Sequence, residues 1–372
     1  MMLSFQATEN ILDRLRNMRN ESYVIPPTAD PAVLYHTAQV DKIISPILYV
    51  LGFPGNILSI VLWLQPRMRH SSGIYLAALG MVDLLFLVIN IMFELYKVWH
   101  VPMFDYPVVC ELLPSVYMAT QYLSPLLVLG FTVERFIGVW FPAKRDTYCT
   151  VFRATVVTSA LAVFSLALGA MQAYFYQYQS EMEFCNLRPE ALEGGHGSMW
   201  SVWTWVTEMM VFLCVPLLIL TFNLLIIRQV KRLSEFELCC KERALTTTFS
   251  LLLVSFYVIL TTFPVSIVYA IRYNFIPDGN ALDVDPKKYA DYMLAKTIVE
   301  EIGMTHHALK FYIFLAAERR FREEVVYVLT RLFAGPCRRQ RGYYQQPVDA
   351  TVHTDWIEVA QVEGNAPDET GI

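Results

Sequence analysis

Several ionisable side chains fall inside stretches of sequence that are otherwise apolar, and these are the residues best placed to do chemistry. Two stretches, 74–95 and 292–316, contain most of them: Asp83, Glu94, Lys296, Glu300, Glu301 and Lys310. A further acid, Glu208, adjoins a third apolar run. A charged side chain in the hydrocarbon of a bilayer costs about 3 kcal/mol or more, so each of these residues is a candidate for a functional role.

Two arrangements resemble parts of enzyme sites, and neither is complete. His196 and Ser198 lie close together, but nothing in the sequence orients them as base and nucleophile, and a glycine-rich loop explains the segment. His306 and His307 are adjacent but lack the glutamate spacing or the cysteines of a zinc site. The sequence therefore predicts neither an enzyme nor a bound cofactor or metal.

The composition indicates a membrane protein. Of the 372 residues, 55% are hydrophobic and only 17% are charged, against about 25% charged in ordinary soluble chains. The mean hydropathy is +0.39. The formal net charge of −5 disfavours a nucleic acid as partner, because a nucleic-acid-binding surface is basic.

Runs without a charged residue predict where the chain crosses the membrane, since a span needs about 20 apolar residues. Five runs meet this condition: 43–66, 112–133, 154–180, 209–228 before its terminal arginine, and 244–271. The stretches 74–95 and 292–316 have the required length and are interrupted only by ionisable residues. Counting both, we predict an all-α bundle of seven membrane-spanning helices over residues 43–316.

Lysine and arginine are distributed unequally between the two sets of connecting segments. Thirteen lie in the set that leads up to and includes the start of the segment after the last span: Arg67, Arg69, Lys144, Arg145, Arg153, Arg228, Lys231, Arg232, Lys241, Arg243, Arg319, Arg320 and Arg322. Five lie in the other set: Lys97, Arg188, Arg272, Lys287 and Lys288. Because positively charged loops stay in the cytoplasm, we expect a plasma-membrane protein with an extracellular N-terminal tail, 1–42. Asn20 begins a glycosylation sequon in that tail, although so short a pattern also occurs by chance.

Two of the seven cysteines fall on the predicted outer side. Cys110 lies at the start of the third span, and Cys185 lies in the second outer connection. An oxidising compartment would pair them as a disulfide. The segment just before Cys185, 177–185, alternates enough to suggest a β-hairpin.

The sequence after the seventh span divides into two parts. Residues 317–334 carry apolar residues at helical spacing opposite charged ones, which predicts an amphipathic helix on the lipid of the inner leaflet. Residues 335–372 predict a mostly disordered cytoplasmic tail. Cys337 is a candidate palmitoylation site, with an unmodified cysteine as the alternative. Thr370 and Ile372 give the chain an end of the type that PDZ domains capture.

The order and spacing of short motifs across residues 43–333 resembles the rhodopsin-like (class A) G-protein-coupled receptors. The matching positions are Gly55-Asn56, Leu76-Ala77 with Asp83, Glu134-Arg135 followed by Pro142, Cys110, Pro216, Pro264, and Lys310–Phe314 in the place of the family's Asn-Pro-x-x-Tyr motif. Within the family the chain is most similar to peptide receptors, especially invertebrate receptors of the FMRFamide-receptor type.

The resemblance implies a ligand pocket near the outer ends of the helices. The residues it assigns to that pocket or its rim are Glu94, Tyr117, Gln121, Glu208, Tyr269, Arg272 and Glu300. An acidic pocket with aromatic side chains suits a cationic group of a neuropeptide. The alternative is that these acids pair internally, with Arg272, Lys296 or each other. Amine receptors and opsins are disfavoured, because Tyr117 and Met304 replace the aspartate and lysine that they need.

The resemblance also implies a buried polar cluster, in which a sodium ion commonly sits, formed by Asp83, Ser124 and Asn56. This chain departs from the family there, since Lys310 replaces an asparagine. A buried carboxylate opposite a buried ammonium should pair with it, so we expect Lys310 to occupy the place of the sodium ion. The alternative is that Lys310 extends toward the inner surface.

At the inner end, Glu134, Arg135 and Pro142 match the family's residues for coupling to a heterotrimeric G protein. We expect Arg135 to pair with Glu134 at rest and to separate from it on activation. The alternative is simple capping of the helix end. Several departures weaken the prediction of efficient activation. Thr262 stands in place of a tryptophan, Leu224 and Phe314 stand in place of two tyrosines, and Ala143 replaces a bulky residue after Pro142.

Two other functions remain open from the sequence. One is an ion-coupled transporter whose proton path runs along Asp83, Lys310 and the glutamates, although the two halves of the chain lack the self-similarity that is common in transporters. The other is a ligand-sensing scaffold that has the receptor fold and signals weakly.

Overall fold

The computed structural model describes residues 31–99, 101–180, 184–236, 241–272 and 286–333. Most of these residues belong to long helices: α1 (Pro31–Trp63), α2 (Ser71–Trp99), α3 (Pro107–Trp140), α4 (Val151–Phe175), α5 (residues 199–236), α6 (Lys241–Ala270), α7 (Pro286–Ala317) and α8 (Arg319–Phe333). Within α5, two α-helical parts, Met199–Met209 and Val215–Phe236, are joined by a π-helical turn, Met210–Cys214. Helices α1 to α7 are the seven spans that the sequence predicts.

Local sequence signals explain several helix starts. Pro107 opens α3, where the amide hydrogen that proline lacks is not needed. The side chain of Thr150 accepts a hydrogen bond from the Arg153 amide at the start of α4, and Ser198 does the same for Ser201 at the start of α5. Such caps satisfy backbone donors that the first helical turn leaves without partners.

The spans pack around α3. This helix contacts α2, α4, α5 and α6, while α1 packs against both α2 and α7. Side chains on the outside of the bundle are apolar even where they are most exposed, as at Val50, Phe152 and Leu260. Such a surface suits lipid, which offers no hydrogen bonds to polar groups.

Six of the described helices, α1 to α6, are long and apolar enough to cross a membrane by length and composition. Helix α7 has the required length but carries lysines and glutamates. Two of its lysines are buried in the bundle, since Lys296 and Lys310 are only 6% and 4% exposed. These two charges therefore face other helices, whereas Lys287 and Lys288 near the start of α7 are exposed.

Several helices have ends that differ from the predicted spans by about one to three helical turns. Helix α1 begins at Pro31 instead of residue 43, and α5 begins at Met199 instead of residue 209. Charged residues ended the predicted spans, but a helix continues through a charge that has a partner inside the bundle. Helix α4 ends at Phe175 instead of residue 180, because the chain there enters a strand.

The predicted β-hairpin is confirmed. Strands β1 (Tyr176–Gln179) and β2 (Phe184–Leu187) pair antiparallel, with Tyr178 opposite Cys185. The disulfide between Cys110 and Cys185 is also confirmed, with a Cα–Cα distance of 5.4 Å. It ties β2 to the start of α3, and we refer to this end of the bundle as the disulfide end.

A short helix follows the seventh span, as predicted. Phe321 of α8 is fully buried and packs against Trp63 of α1 and Phe314 of α7. Backbone contacts divide the chain after Val325, so residues 326–333 of α8 belong to a second unit. The predicted glycosylation site Asn20, the palmitoylation site Cys337 and the C-terminal PDZ motif lie outside the described residues.

Helices α3 and α4 approach each other closely at Gly169. A Cβ atom on this glycine would lie 2.5 Å from the Ser115 carbonyl oxygen and 3.1 Å from the Ala119 amide nitrogen. Both neighbours are backbone atoms of α3, which cannot turn aside as a flexible side chain can. The absence of a side chain at residue 169 therefore sets the spacing of the two helices.

We expect Gly169→Ala to lower the melting temperature of the purified protein, because such overpacking typically costs about 1–3 kcal/mol. Gly138→Ala is the matched control, since a Cβ there meets nothing closer than 4.0 Å and gains helix propensity. Thermal unfolding of both variants in detergent measures the difference. Equal melting temperatures for the two variants would contradict the close-packing argument.

Candidate functional site

A cavity lies among α1, α2, α3, α5, α6 and α7. Tyr117 lines it and lies two turns after Cys110 on α3, about 10 Å along the helix, so the cavity is toward the disulfide end. Its lining includes four carboxylic acids: Asp41, Glu94, Glu300 and Glu301. Lys296 is the single lysine or arginine among the described lining residues, so acids outnumber cations there.

The acidic side of the cavity is built by α1, α2 and α7. The Tyr49 hydroxyl donates a hydrogen bond of 2.7 Å to Glu94, and the Ser45 hydroxyl donates one of 2.8 Å to Glu301. Lys296 lies one helical turn before Glu300, and 3.6 Å separates their charged atoms. The positions of Asp41, Ser45 and Tyr49 could not be predicted, since nothing in the sequence shows that α1 faces these glutamates.

The predicted pair Tyr117 and Gln121 lies side by side on the inner face of α3. The Gln121 amide donates to the Tyr117 hydroxyl at 3.1 Å, and that hydroxyl lies 3.3 Å from the side-chain oxygen of Asn90 on α2. Asn90 also lines the cavity and was not among the predicted residues. A buried asparagine in the second span, among apolar neighbours, is the signal that could have identified it.

Three predicted ligand residues are not on the lining of this cavity. Arg272 forms an ion pair with Glu208 at 3.1 Å, and its guanidinium also donates to the Ser201 carbonyl. Tyr269 donates a hydrogen bond of 3.0 Å to Glu300. For Glu208 and Glu300 the structure therefore has the internal pairing that the sequence left open as the alternative to ligand binding.

The structure brings Asp83 and Lys310 together in the middle of the bundle. The Lys310 ammonium lies 2.8 Å and 3.1 Å from the two carboxylate oxygens of Asp83, and it donates to Ser124 at 3.0 Å. Ser124 in turn donates to Asp83 at 3.1 Å. All three side chains are almost fully buried, so the ammonium points into the bundle and away from the inner surface.

His307 is the residue of this cluster that sequence reasoning missed. Its Nδ1 atom lies 2.7 Å from the Asp83 carboxylate, and its ring stacks on Phe86. Because His307 also lines the cavity, it joins the cavity to the ion pair. Asn56, predicted in the same cluster, instead donates to the His307 backbone carbonyl at 2.8 Å.

At the end opposite the disulfide, the structure differs from the predicted resting state. The Glu134 carboxylate accepts hydrogen bonds from Ser71 at 2.6 Å and Ser72 at 3.0 Å. The described residues include no hydrogen bond from the buried Nε atom of Arg135 and no ion pair between Arg135 and Glu134. Two hydroxyls at the start of α2 thus satisfy the acid in place of the arginine.

The connection after α3 lies beside these residues. Pro142 is exposed and opens a short 3-10 turn, Pro142–Lys144. The Cys149 thiol lies near the Glu134 carbonyl, at 3.7 Å. Burial raises the pKa of the Cys149 thiol, and the negative charge of Glu134 adds to this effect, so the thiol stays protonated at neutral pH.

Comparison with known proteins agrees with this architecture. Residues 55–307 match the family model of the 7 transmembrane receptor (rhodopsin family). This match covers more than half of the chain, which therefore belongs to that family.

Individual relatives are similar at low identity. The FMRFamide receptor of Drosophila melanogaster is 25% identical over 201 residues, which are 50% of this chain and 36% of the relative. Neuromedin-U receptor 2 of Mus musculus is 26% identical over 130 residues, 34% of this chain and 33% of the relative. A probable G-protein coupled receptor of Caenorhabditis elegans is 22% identical over 304 residues, 74% of this chain and 66% of the relative. With the vertebrate receptor, as with the Drosophila one, the match spans only about a third of the relative's length.

We expect Lys310→Met to destabilise the protein strongly, because removing one partner of a buried pair costs about 3–5 kcal/mol. The double variant Asp83→Asn with Lys310→Met removes both charges and should recover most of the lost stability. Thermal unfolding of the single and double variants measures the coupling. A double variant as unstable as Lys310→Met would show that the pair does not account for the loss.

Proposed function

We propose that the chain is a plasma-membrane receptor that binds an extracellular neuropeptide and activates a heterotrimeric G protein. The acid-lined cavity at the disulfide end is the observation that carries this proposal. Two of the relatives named above are receptors named after peptides, FMRFamide and neuromedin U. A cavity with more carboxylates than cations suits a peptide with a cationic side chain or amino terminus.

The orientation follows from the charges of the connecting segments. The excess of lysine and arginine after α1, α3, α5 and α7 favours a cytoplasmic location for those segments. The disulfide end and the cavity are then extracellular, where a disulfide persists. The Glu134–Arg135 end is cytoplasmic in this proposal, with α8 on the lipid of the inner leaflet.

Activation requires the two ends to be coupled. A ligand that binds one arrangement of the helices better than another shifts the population toward that arrangement. Arg135 can change its contacts on activation without breaking an ion pair to Glu134, because the Glu134 carboxylate accepts hydrogen bonds from Ser71 and Ser72 instead. We propose that Arg135 and Pro142 contribute to the surface that contacts the G protein, and that a PDZ domain binds the C-terminal end.

The experiment that tests the function is nucleotide exchange on purified G proteins. Amidated, arginine-containing peptides, with FMRFamide among them, are added to the full chain in lipid nanodiscs. We expect at least one peptide to accelerate exchange, and Arg135→Ala to abolish the acceleration while peptide binding persists. Peptide binding without exchange would favour the weakly signalling scaffold. Ion uptake into liposomes without peptide binding would favour the transporter.

We further propose that Lys310 makes ligand binding independent of sodium. The cluster does not fit a sodium ion, because the Lys310 ammonium already contacts both oxygens of Asp83 and the Ser124 hydroxyl. The affinity of an activating peptide, measured against Na⁺ at constant ionic strength, should be flat for the wild type. Lys310→Asn should make it sodium-dependent. A wild type as sensitive to Na⁺ as the variant would refute this role.

A further inference from the structure

Two neighbouring glutamates of α7 differ in how their carboxylates are satisfied. Glu300 has Lys296 at 3.6 Å and accepts a hydrogen bond from Tyr269 at 3.0 Å. Glu301 accepts a hydrogen bond from Ser45 on its Oε1 atom, while its buried Oε2 atom has no hydrogen-bond partner among the residues that the structure describes. The side chain of Glu301 lines the cavity and the residue is only 8% exposed.

A carboxylate oxygen in this situation is costly. A buried polar atom without a partner loses the hydrogen bonds of water and gains nothing in exchange. The electrostatic neighbours of Glu301 add to the cost, since Asp41, Glu94 and Glu300 all act on it as further negative charges. A cation that entered the cavity would supply the missing donor and offset the repulsion.

The two sides of the cavity differ in what they offer to such a cation. The acids lie on α1, α2 and α7, whereas the described lining residues of α5 and α6 are uncharged: Phe212, Thr262 and Val265. A charged group would therefore settle against α1, α2 and α7. The apolar remainder of a ligand would lie toward α5 and α6.

We propose that Glu301 is the anchor of a cation subsite between α1, α2 and α7 that binds a guanidinium group, such as an arginine side chain of the ligand. A guanidinium has five N–H donors in a planar fork, so it can bond the Oε2 atom of Glu301 and a second acceptor at once. Glu94, which accepts a hydrogen bond from Tyr49 and lines the same side of the cavity, supplies that second acceptor in this proposal. This subsite deepens the proposed function by naming the ligand group that the cavity recognises.

The test uses small probes on the full chain in lipid nanodiscs. L-arginine amide carries the guanidinium, L-citrulline amide is its neutral isostere, and L-lysine amide carries an ammonium. We expect arginine amide to raise the melting temperature with increasing concentration, as a ligand of the folded state does. Citrulline amide should have no effect, and lysine amide should bind more weakly than arginine amide.

Glu301→Gln should weaken arginine amide binding by about tenfold or more, which corresponds to the loss of one charge-assisted hydrogen bond. Glu111→Gln is the matched control, because Glu111 is an acid at the disulfide end of α3 that does not line the cavity. It removes one negative charge and should leave probe binding unchanged.

Three results would overturn the proposal: equal stabilisation by arginine and citrulline amides, full binding by Glu301→Gln, or equal losses in Glu301→Gln and Glu111→Gln. The comparison of probes on the wild type decides the matter even if the Glu301 variant fails to fold. Because no G protein is present, a failed subsite is distinguishable from a failed receptor function. The latter would appear as absent nucleotide exchange despite intact probe binding.

Discussion

The carboxylate of Asp83 is the constraint around which this bundle is organised. It is 1% exposed, and a charge that is buried without compensation would cost more than a folded domain can usually tolerate. Two helices supply the compensation: α7 through the Lys310 ammonium and the His307 ring, and α3 through the Ser124 hydroxyl. Since these contacts need α2, α3 and α7 at fixed separations, the same contacts position the residues that line the cavity.

A chain of side-chain contacts connects the cavity to the Asp83 carboxylate. Tyr117 stacks on Phe86, Phe86 stacks on His307, and His307 contacts the Asp83 carboxylate. Helix α6 contributes only Thr262 and Val265 to the described lining. With the small Thr262 in place of a large aromatic ring, the aromatic contacts beneath the cavity are made by α2, α3 and α7. An effect of a ligand on the Asp83–Lys310 ion pair would therefore pass through the contacts of those helices.

Sequence reasoning succeeded where partners are fixed by chain order or by chemistry. The disulfide followed from the side on which Cys110 and Cys185 lie, and the seven spans followed from their length. It failed where the rotation of one helix about its axis decides the contact. Nothing in the sequence distinguishes an acid that faces a ligand from one that faces Arg272, as Glu208 does. Likewise, the adjacent Arg135 is the obvious partner of Glu134, yet Ser71 and Ser72 reach it from another helix.

Helix α7 shows why the direction in which a charged side chain points matters more than the presence of the charge in a span. Hydropathy alone does not identify this helix as a span, yet two of its lysines, Lys296 and Lys310, are among the buried charged residues of the bundle. At the level of Asp83 the helix supplies its own cation, and the Lys310 ammonium lies within 3.1 Å of both carboxylate oxygens. Beside the cavity its lining residues include two glutamates and one lysine, and one oxygen of Glu301 has no hydrogen-bond partner among the described residues. The same helix thus neutralises the buried carboxylate in the middle of the bundle and leaves an excess of carboxylates beside the cavity. A cationic ligand can neutralise that excess.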